Sequence, residues 1–536
     1  MLVVLIGRIP AVRVVHLYSS RKGIRGSRLF WGKDICDHGF HRRGRDTHRH
    51  DWGDSKSYKR MLATLRSFEE GEEPDMVIAN YVYEKVGAKR KKVIHYENVV
   101  AVGDTIQYEI CDSTGLSLLK SRRVEAWVKF HHAEGFPFSL RDLPESILAI
   151  PISLYLLPAT WFYGVDLVVP SMDKTLYECL PNIYETYSRI YGPFKKVWSG
   201  RVRPGAVVEN KMGKSGFDTI VFFSGGIDAV HAGINNPGKR SVLVSVPSIE
   251  AMAKTKKEDT GEDFLQVKSR LIREFSAVSG SDWLLVTNNF QADVFDDDRI
   301  WAELKNAFAL SSEAFRFDGW FGMKYLGNLL SAAPFAYALG IRYLVMGSAF
   351  EQLEDNHASN LDGANPELSD SFKFAEVSFT EQDGLYVRRS LKARNIVEWC
   401  KARGERTMLW TCFDDETEQC GTCIKCVRTQ LNILCAGENP ADWGFKKFDE
   451  KRFSRHVRLY QYCERNLCWL WDIVDSIDDT VTYPYCDKLL HWLKGVGYKR
   501  YSQRAKRAFY VKMLLRIHRY PHYVKAIFLK LMGKRR

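Results

Sequence analysis

Short, almost wholly apolar runs alternate with amphipathic stretches in the middle of the chain, from about residue 217 onward. Four such runs read FDTIVFF, SVLVSVPSI, DWLLVTN and IRYLVMGS. Between the last three lie DFLQVKSRLIREFSAVSG and MKYLGNLLSAAPFAYALG, in which apolar residues recur at helical spacing and a glycine closes the segment. Buried apolar strands separated by helices are typical of a doubly wound parallel sheet, so we expect an α/β fold.

The patterning differs on either side of this region. Alternating strand-like segments, a proline-interrupted apolar stretch and the amphipathic DKTLYECLPNIYETYSRIYG together predict a mixed α/β domain, and RPGAVVENKMGKSG (203–216) has the composition of a linker or hairpin. The C-terminal segment, residues 501–536, has apolar residues at helical spacing and a basic opposite face. The predicted parts are a basic N-terminal segment (1–60), a mixed α/β domain (61–205), the doubly wound domain (206–440) and a basic helical C-terminal region (441–536).

The net charge of +13 is concentrated at the two ends. Residues 491–536 contain fourteen Lys or Arg and no acidic residue, and residues 1–60 contain fourteen against five Asp, which leaves −10 on residues 61–490. Basic ends favour a polyanionic partner such as RNA, a membrane surface or the protein's own acidic body, and solvated helix surfaces are the simpler alternative. The sequence shows no run of about twenty apolar residues. The apolar start, MLVVLIGRIPAVRVV, is interrupted by arginines and predicts a strand rather than a signal peptide. We therefore expect a cytoplasmic protein.

The run DTIVFF stops at two adjacent glycines, in the sequence SGGID. If a strand ends there and a helix begins after the glycines, the turn offers successive backbone N–H groups at a helix N-terminus, which hold phosphate oxygens. The Ser224 hydroxyl is a further donor, and the Asp228 carboxylate suits a Mg²⁺ ion that bridges phosphates. These two are the candidate catalytic groups, and an ordinary strand–helix turn is the alternative. The candidate nucleotide-binding residues are Ser224, Gly225, Gly226, Ile227 and Asp228.

This loop resembles the Ser-Gly-Gly-x-Asp-Ser loop of the PP-loop ATP pyrophosphatases, which have the adenine nucleotide alpha hydrolase-like fold. Those enzymes cleave ATP between its α and β phosphates and adenylate an oxygen of the substrate. Ala229 stands where the family has its last serine, so one hydroxyl is missing. The resemblance implies a PP-loop domain over residues 206–440, ATP and Mg²⁺ as cofactors, and AMP and pyrophosphate as products.

Four of the twelve cysteines fall within fifteen residues, in CFDDETEQCGTCIKC. The C-x7-C-x2-C-x2-C spacing lets four thiolates converge on one ion, which is the pattern of a closed, structural zinc site. An iron–sulfur cluster bound by the same four cysteines is one alternative. The other is that the four cysteines are reduced and bind no metal. The candidate zinc ligands are Cys412, Cys420, Cys423 and Cys426.

A PP-loop domain that ends in this cysteine pattern and an arginine, as in CGTCIKCVR, is similar to the QueC family of 7-cyano-7-deazaguanine synthases, over about residues 217–435. In that family the four cysteines bind zinc. Its members adenylate 7-carboxy-7-deazaguanine and let ammonia attack, giving an amide and then a nitrile. The resemblance implies an ATP-dependent carbon–nitrogen ligase. Longer QueC-like proteins are associated with antiphage defence, where an amine of a protein or nucleic acid is thought to replace ammonia. The resemblance is also compatible with a homodimer.

Two segments depart from the family. VPSIEAMAKTK stands where a Tyr-Gly-Gln segment is expected after the second strand, and NNFQADVFDDD replaces an Arg-Asn stretch after the third. Because these regions shape the substrate site, the activation chemistry transfers better than the substrate. Two other functions stay open: a PP-loop enzyme that modifies tRNA, for example by thiolation, and a nucleotide-binding scaffold without turnover.

Three further stretches carry candidate residues. The polar segment 346–372 suits a substrate lid, with a surface loop as the alternative. RRSLKARNI brings four cations to the same rim, where one or two could neutralise departing pyrophosphate. Irregular spacing and flanking arginines argue against a second metal site in CDHGFHRRGRDTHRHDW. The substrate-lid candidates are Glu351, Asn356, His357, Asn365 and Glu367. The four rim cations are Arg388, Arg389, Lys392 and Arg394. The residues of the possible second metal site are Cys36, His38, His41, His48 and His50.

Overall fold

A computed structural model describes residues 3–9, 12–18, 92–190, 200–214, 216–238, 240–247, 264–297, 299–300, 327–348, 366–379, 383–385, 387–412, 419–460 and 467–496. The chain divides into two compact units, Met1–Lys89 and Arg90–Arg536. In the first unit, β1 (Val3–Ile9) and β2 (Val12–Tyr18) form an antiparallel hairpin. The apolar start of the chain is therefore strand, as predicted. The histidine- and cysteine-containing stretch 36–50 and the basic tail from residue 497 lie outside the described residues.

One mixed sheet runs through the second unit. Its strands are β3 (Val93–Val102), β4 (Thr105–Asp112), β5 (Arg123–His132), β6 (Asp166–Asp173), β7 (Val202–Val208), β8 (Thr219–Phe222), β9 (Ser241–Ser245), β10 (Asp282–Asn288), β11 (Tyr343–Met346), β12 (Lys373–Phe374) and β13 (Val377–Phe379). Within the described residues, these eleven strands have the order β12-β13-β11-β8-β9-β10-β5-β4-β3-β6-β7. The α/β class is confirmed, but the sheet is mixed rather than wholly parallel.

The parallel part of the sheet carries the predicted nucleotide site. Strands β13, β11, β8, β9 and β10 are parallel neighbours. Numbered along the chain, their order is 5-4-1-2-3, in which the direction of winding reverses between the first and fourth strands. Those two strands, β8 and β11, pair directly. Gly347, just after β11, lies so close to the Asp228 backbone that a Cβ there would clash with the Asp228 carbonyl group.

The other half of the sheet continues from β10 without a break. Strand β10 pairs antiparallel with β5, and the sheet extends through β4 and β3 to β6 and β7. Strand β7 includes the first six residues of the segment predicted as a linker or hairpin. Its Pro204 and Gly205 lie at the end of the strand order, where the missing N–H of proline is tolerated. The predicted boundary at residues 205–206 falls inside this strand, and the other predicted boundaries stay predictions.

Helices pack on both faces of the sheet. The α-helices are α1 (Glu145–Leu148), α2 (Ile150–Tyr163), α3 (Lys174–Ile190), α4 (Ile227–Asn235), α5 (Phe264–Ser279), α6 (Ala333–Ala338), α7 (Pro366–Asp370), α8 (Arg389–Arg403), α9 (Ile424–Cys435), α10 (Glu450–Tyr460), α11 (Leu467–Ser476) and α12 (Asp487–Val496). Alternate side chains of β8 enter different cores: Ile220 and Phe222 join the core that contains α2 and α6, whereas Val221 joins that of α4 and α8.

The C-terminal helices form a core of their own against α9. Apolar residues of α10, α11 and α12 pack on the α9 side chains Val427, Leu431 and Leu434. The helical prediction for residues 441–536 is thus borne out where that region is described. None of the described helices combines the length and the apolar character that crossing a membrane requires.

Candidate functional site

The glycine turn lies between β8 and α4, at the carboxyl end of the strand. Gly225 has φ of +85°, a left-handed conformation that glycine adopts without a Cβ penalty. Its carbonyl oxygen accepts a 2.7 Å hydrogen bond from the Trp410 N–H group. A Cβ on Gly225 would lie only 3.1 Å from the Trp410 Cβ. Gly226 is the N-cap of α4, so the turn leads directly into a helix N-terminus, as the sequence predicts.

Asp228, in the first turn of α4, accepts charged hydrogen bonds on both carboxylate oxygens. Oδ2 accepts from Arg389 Nη2 at 2.6 Å, and Oδ1 accepts from Lys392 Nζ at 3.0 Å. These two cationic side chains are 5% and 2% exposed, so the ion pairs are desolvated. Burial alone would raise the pKa of Asp228, but the two cations outweigh it and lower the pKa to about 2. Both carboxylate oxygens that a Mg²⁺ ion would need are thus engaged by cations in this structure, and the role of Asp228 as a Mg²⁺ ligand stays a prediction.

A second carboxylate extends the same cluster. His231 Nδ1 lies 2.7 Å from Asp383 Oδ2, and Asn235 Nδ2 donates to Asp383 Oδ1 at 2.7 Å. Burial raises the pKa of Asp383, but these hydrogen bonds and the nearby cation of α8 lower it overall. Asn395 Nδ2 lies 3.2 Å from the other ring nitrogen of His231. Asp383 is therefore a second carboxylate, beside Asp228, in the surroundings of the two α8 cations.

Lys268, on α5, adds a cation at the loop itself. Its Nζ donates to the Ser224 carbonyl oxygen at 2.9 Å and lies 5.8 Å from the centre of the Trp410 ring. Burial, with a smaller contribution from the neighbouring Lys425, lowers the pKa of Lys268 to about 7. An ammonium group beside a turn of backbone N–H groups is suited to anion binding. No sequence pattern predicts this role for Lys268, since a lysine in an amphipathic helix is ordinarily solvated.

The four predicted cysteine ligands converge at the start of α9. Their Sγ atoms lie within 4.8 Å of one another, with Cys423 and Cys426 buried and Cys412 and Cys420 half-buried. Cys423 is the N-cap of α9 and accepts from the Cys426 N–H group. Cys420 accepts from the Cys423 N–H group at 3.2 Å. Such N–H donors stabilise thiolates, and hydrogen bonds with the other three thiols lower the pKa of Cys420.

The sulfur positions fit a single tetrahedral ion. With Zn–S bonds of about 2.3 Å, the edges of the sulfur tetrahedron are about 3.8 Å long. The Sγ atoms of Cys420 and Cys426 are 3.9 Å apart. In an iron–sulfur cluster the thiolates bind different irons and spread further apart. The cluster could therefore hold a metal such as zinc, through four thiolates that leave no coordination position for water.

The segment before the first of these cysteines contacts the glycine turn. Besides the bond from Trp410 to Gly225, the Thr411 N–H group donates to Gln419 Oε1 at 3.0 Å, and Gln419 Nε2 donates to the Leu409 carbonyl oxygen. The cysteine-rich segment is thus bonded both to itself and to the turn. A metal at the four cysteines would hold the backbone that supports the phosphate-binding candidate.

The remaining predicted residues are divided between different places. Glu367 lies in α7, whereas the other four lid candidates (Glu351, Asn356, His357 and Asn365) lie outside the described residues. Of the four predicted rim cations, two reach Asp228. Arg388 instead pairs with Asp475 at 3.0 Å, and with Arg394 it lines an open cleft of about 620 Å³ that includes no residue of 224–228.

Protein-family models, curated proteins and solved structures were compared with this chain, and none of them matches it.

Proposed function

We propose that the chain is an ATP-dependent carbon–nitrogen ligase of the QueC-like, PP-loop type, in which residues 224–228 bind the polyphosphate of ATP. The observation that carries the proposal is the 2.7 Å hydrogen bond from the Trp410 N–H group to the Gly225 carbonyl. It joins in one site the two motifs on which the resemblance rests. The parallel strand order supports the same proposal, because ligands of such sheets bind at the carboxyl ends of the strands beside the switch point.

In this proposal the turn binds phosphate and the surrounding cations balance its charge. The Ser224 hydroxyl and the backbone N–H groups of Gly225, Gly226 and Ile227 donate to phosphate oxygens, and the N-terminus of α4 adds partial positive charge. Lys268, when protonated, adds a positive charge at the same turn. Asp228 positions the two cations of α8, which stabilise pyrophosphate as it leaves. ATP brings Mg²⁺ to the site as its own counter-ion.

The proposed reaction has two steps. An oxygen of the substrate carboxylate attacks the α-phosphorus of ATP, the bond to the bridging oxygen breaks, and pyrophosphate leaves with the electron pair. A nitrogen nucleophile then attacks the acyl carbon, AMP leaves with the C–O electron pair, and the nitrogen loses a proton to give the amide. By resemblance, the substrate is 7-carboxy-7-deazaguanine or a similar acid. The acceptor is ammonia or an amine of a protein or nucleic acid, in a cytoplasmic, antiphage setting, and the enzyme would act as a homodimer.

Product analysis tests this function. The purified protein, incubated with ATP and 7-carboxy-7-deazaguanine, should release AMP and pyrophosphate in equal amounts, whereas release of ADP would contradict the mechanism. Lys268→Met should slow the release, and the exposed Lys174→Met is a matched control that should leave it unchanged. Iron or acid-labile sulfide in the protein would instead favour the alternative of a tRNA-thiolating PP-loop enzyme.

One observation favours a second candidate, a nucleotide-binding scaffold without turnover. Both carboxylate oxygens of Asp228 are occupied by Arg389 and Lys392, and the family's last loop serine is Ala229. A scaffold would bind ATP, with an affinity that depends on the glycine turn, but would release no pyrophosphate with any acid and amine. Equilibrium binding measured alongside product analysis separates the two candidates.

A further inference from the structure

A second group of metal-ligating side chains lies on the solvent-facing side of the antiparallel strands, away from residues 224–228 in the strand order. Strands β3 and β4 pair so that His95 is opposite Cys111 and Glu97 is opposite Glu109. The intervening residues, including Tyr96 and Ile110, are buried in the core. The period of two along a strand therefore places the four polar side chains together on the other face.

Three of these side chains bring different ligand atoms into one place. A ring nitrogen of His95, a carboxylate oxygen of Glu97 and the Sγ of Cys111 lie within 4.8 Å of one another. His95 Nε2 and Glu97 Oε1 are 3.0 Å apart. Two ligand atoms at about 2.0 Å from a tetrahedral zinc ion stand about 3.3 Å apart. A small side-chain rotation is therefore enough to admit an ion between them, and His95 and Glu97 are exposed enough to rotate.

Glu109, the fourth polar residue of this face, binds two neighbouring side chains beside the three ligands. Glu109 accepts a 2.8 Å hydrogen bond from Asn98 and forms an ion pair with Arg123 at 2.5 Å. Arg123 is opposite Cys111 across β4 and β5. Hydrogen bonds from such outer groups orient metal ligands and tune their basicity. The positive charge of Arg123 is balanced by Glu109 and so does not oppose a bound cation.

We propose that His95, Glu97 and Cys111 form a binding site for a borderline divalent cation, with Zn²⁺ as its natural probe. Nitrogen, oxygen and sulfur ligands together suit Zn²⁺ better than the hard cations Mg²⁺ and Ca²⁺. The Glu97 carboxylate and the Cys111 thiolate neutralise the ion, and the thiol proton passes to solvent on binding. Three protein ligands leave a coordination position for water, in contrast to the closed four-cysteine cluster.

Cobalt titration of the full-length protein that carries one equivalent of Zn²⁺, which fills the four-cysteine cluster first, tests the site, because Co²⁺ reports thiolate ligation in its visible spectrum. The wild type should take up one more equivalent than Cys111→Ser, with a sulfur-to-cobalt charge-transfer band that this variant lacks. Cys179→Ser, which removes a half-buried cysteine of α3, is the matched control and should match the wild type. The difference between variants cancels any Co²⁺ bound elsewhere on the chain.

Two further variants make the result independent of the cysteine. His95→Gln and Glu97→Gln keep the size of exposed side chains, and each should weaken Co²⁺ and Zn²⁺ binding at this site by about tenfold or more. Circular dichroism should show the wild-type fold in both. Equal uptake and equal spectra in the wild type and Cys111→Ser, or unchanged affinity in the two glutamine variants, would overturn the proposal.

Discussion

Replacing Asp228 by asparagine should destabilise the protein much more than removing an exposed carboxylate. Asp228→Asn keeps the side-chain size but leaves the buried cations Arg389 and Lys392 without their counter-charge. Removing one partner of a buried ion pair costs about 3–5 kcal/mol. The pKa of Asp228, lowered from 3.8 to about 2, corresponds to roughly 2.5 kcal/mol at about 1.4 kcal/mol per pKa unit. We therefore expect the free energy of unfolding to fall by about 2–5 kcal/mol at neutral pH.

The sign of the pH dependence follows from the lowered pKa. Because the carboxyl group is more acidic in the folded than in the unfolded protein, its ionised form contributes stability that is fully present above about pH 5. That contribution is lost as the pH falls through the folded-state pKa of about 2, and about half of it is gone by pH 3. The stability difference between the wild type and Asp228→Asn should therefore shrink by about 1 kcal/mol from pH 7 to pH 3.

Urea unfolding followed by tryptophan fluorescence measures the effect, and Asp218→Asn is the matched control. Asp218 pairs with Arg240, but the two side chains are 42% and 70% exposed, so water screens the pair. Loss of such a pair costs less than about 1 kcal/mol. If Asp228→Asn and Asp218→Asn differ in unfolding free energy by less than about 0.5 kcal/mol, the ion pairs of Asp228 do not contribute as a desolvated cluster should.

Three further predictions concern the glycine turn. Gly225→Ala should weaken ATP binding at least tenfold and lower stability by about 1–2 kcal/mol or more, because alanine is strained in the left-handed conformation and its Cβ would press on Trp410. Gly238 is also left-handed but has open space around its Cβ, so Gly238→Ala should lower stability and leave ATP binding unchanged in the same binding and unfolding assays. Removing metal from the four cysteines with a chelator should speed hydrogen exchange of the amides at 224–226, and restoring Zn²⁺ should reverse the effect. Unchanged exchange would show that the cysteine cluster does not stabilise the glycine turn. ATP affinity should fall about tenfold from pH 6 to pH 8 as Lys268 loses its proton near pH 7, and Lys268→Met should abolish that part of the dependence.

The features that the sequence predicts correctly are local. The strand, glycine turn and helix of residues 219–235 follow from an apolar run, two glycines and helical spacing within seventeen residues. The convergence of the four cysteines follows from two-residue spacings, which fix neighbouring thiolates through the backbone. In both cases the physical constraint acts over one or two turns of chain.

The features that escape the sequence depend on distant contacts. Asp228 meets Arg389 from 161 positions further along the chain, and no pattern near either residue reveals the pairing. The antiparallel pairing of β10 with β5 is equally hidden, since each strand alone shows only its own alternation. The composition of residues 203–216 predicts a linker or hairpin, yet Val202–Val208 form a strand, because a strand at the end of the order tolerates Pro204 and Gly205.

The uninterrupted hydrogen bonding across β10 and β5 limits how this protein can be dissected. A fragment that starts near residue 206 would lack β5, the strand that pairs with Leu284–Asn288 of β10. The unpaired N–H and C=O groups of β10 would then promote strand pairing between copies of the fragment. The part of the chain that contains residues 224–228 is therefore not an autonomous module, and an expressible fragment has to retain the meander that begins at Val93.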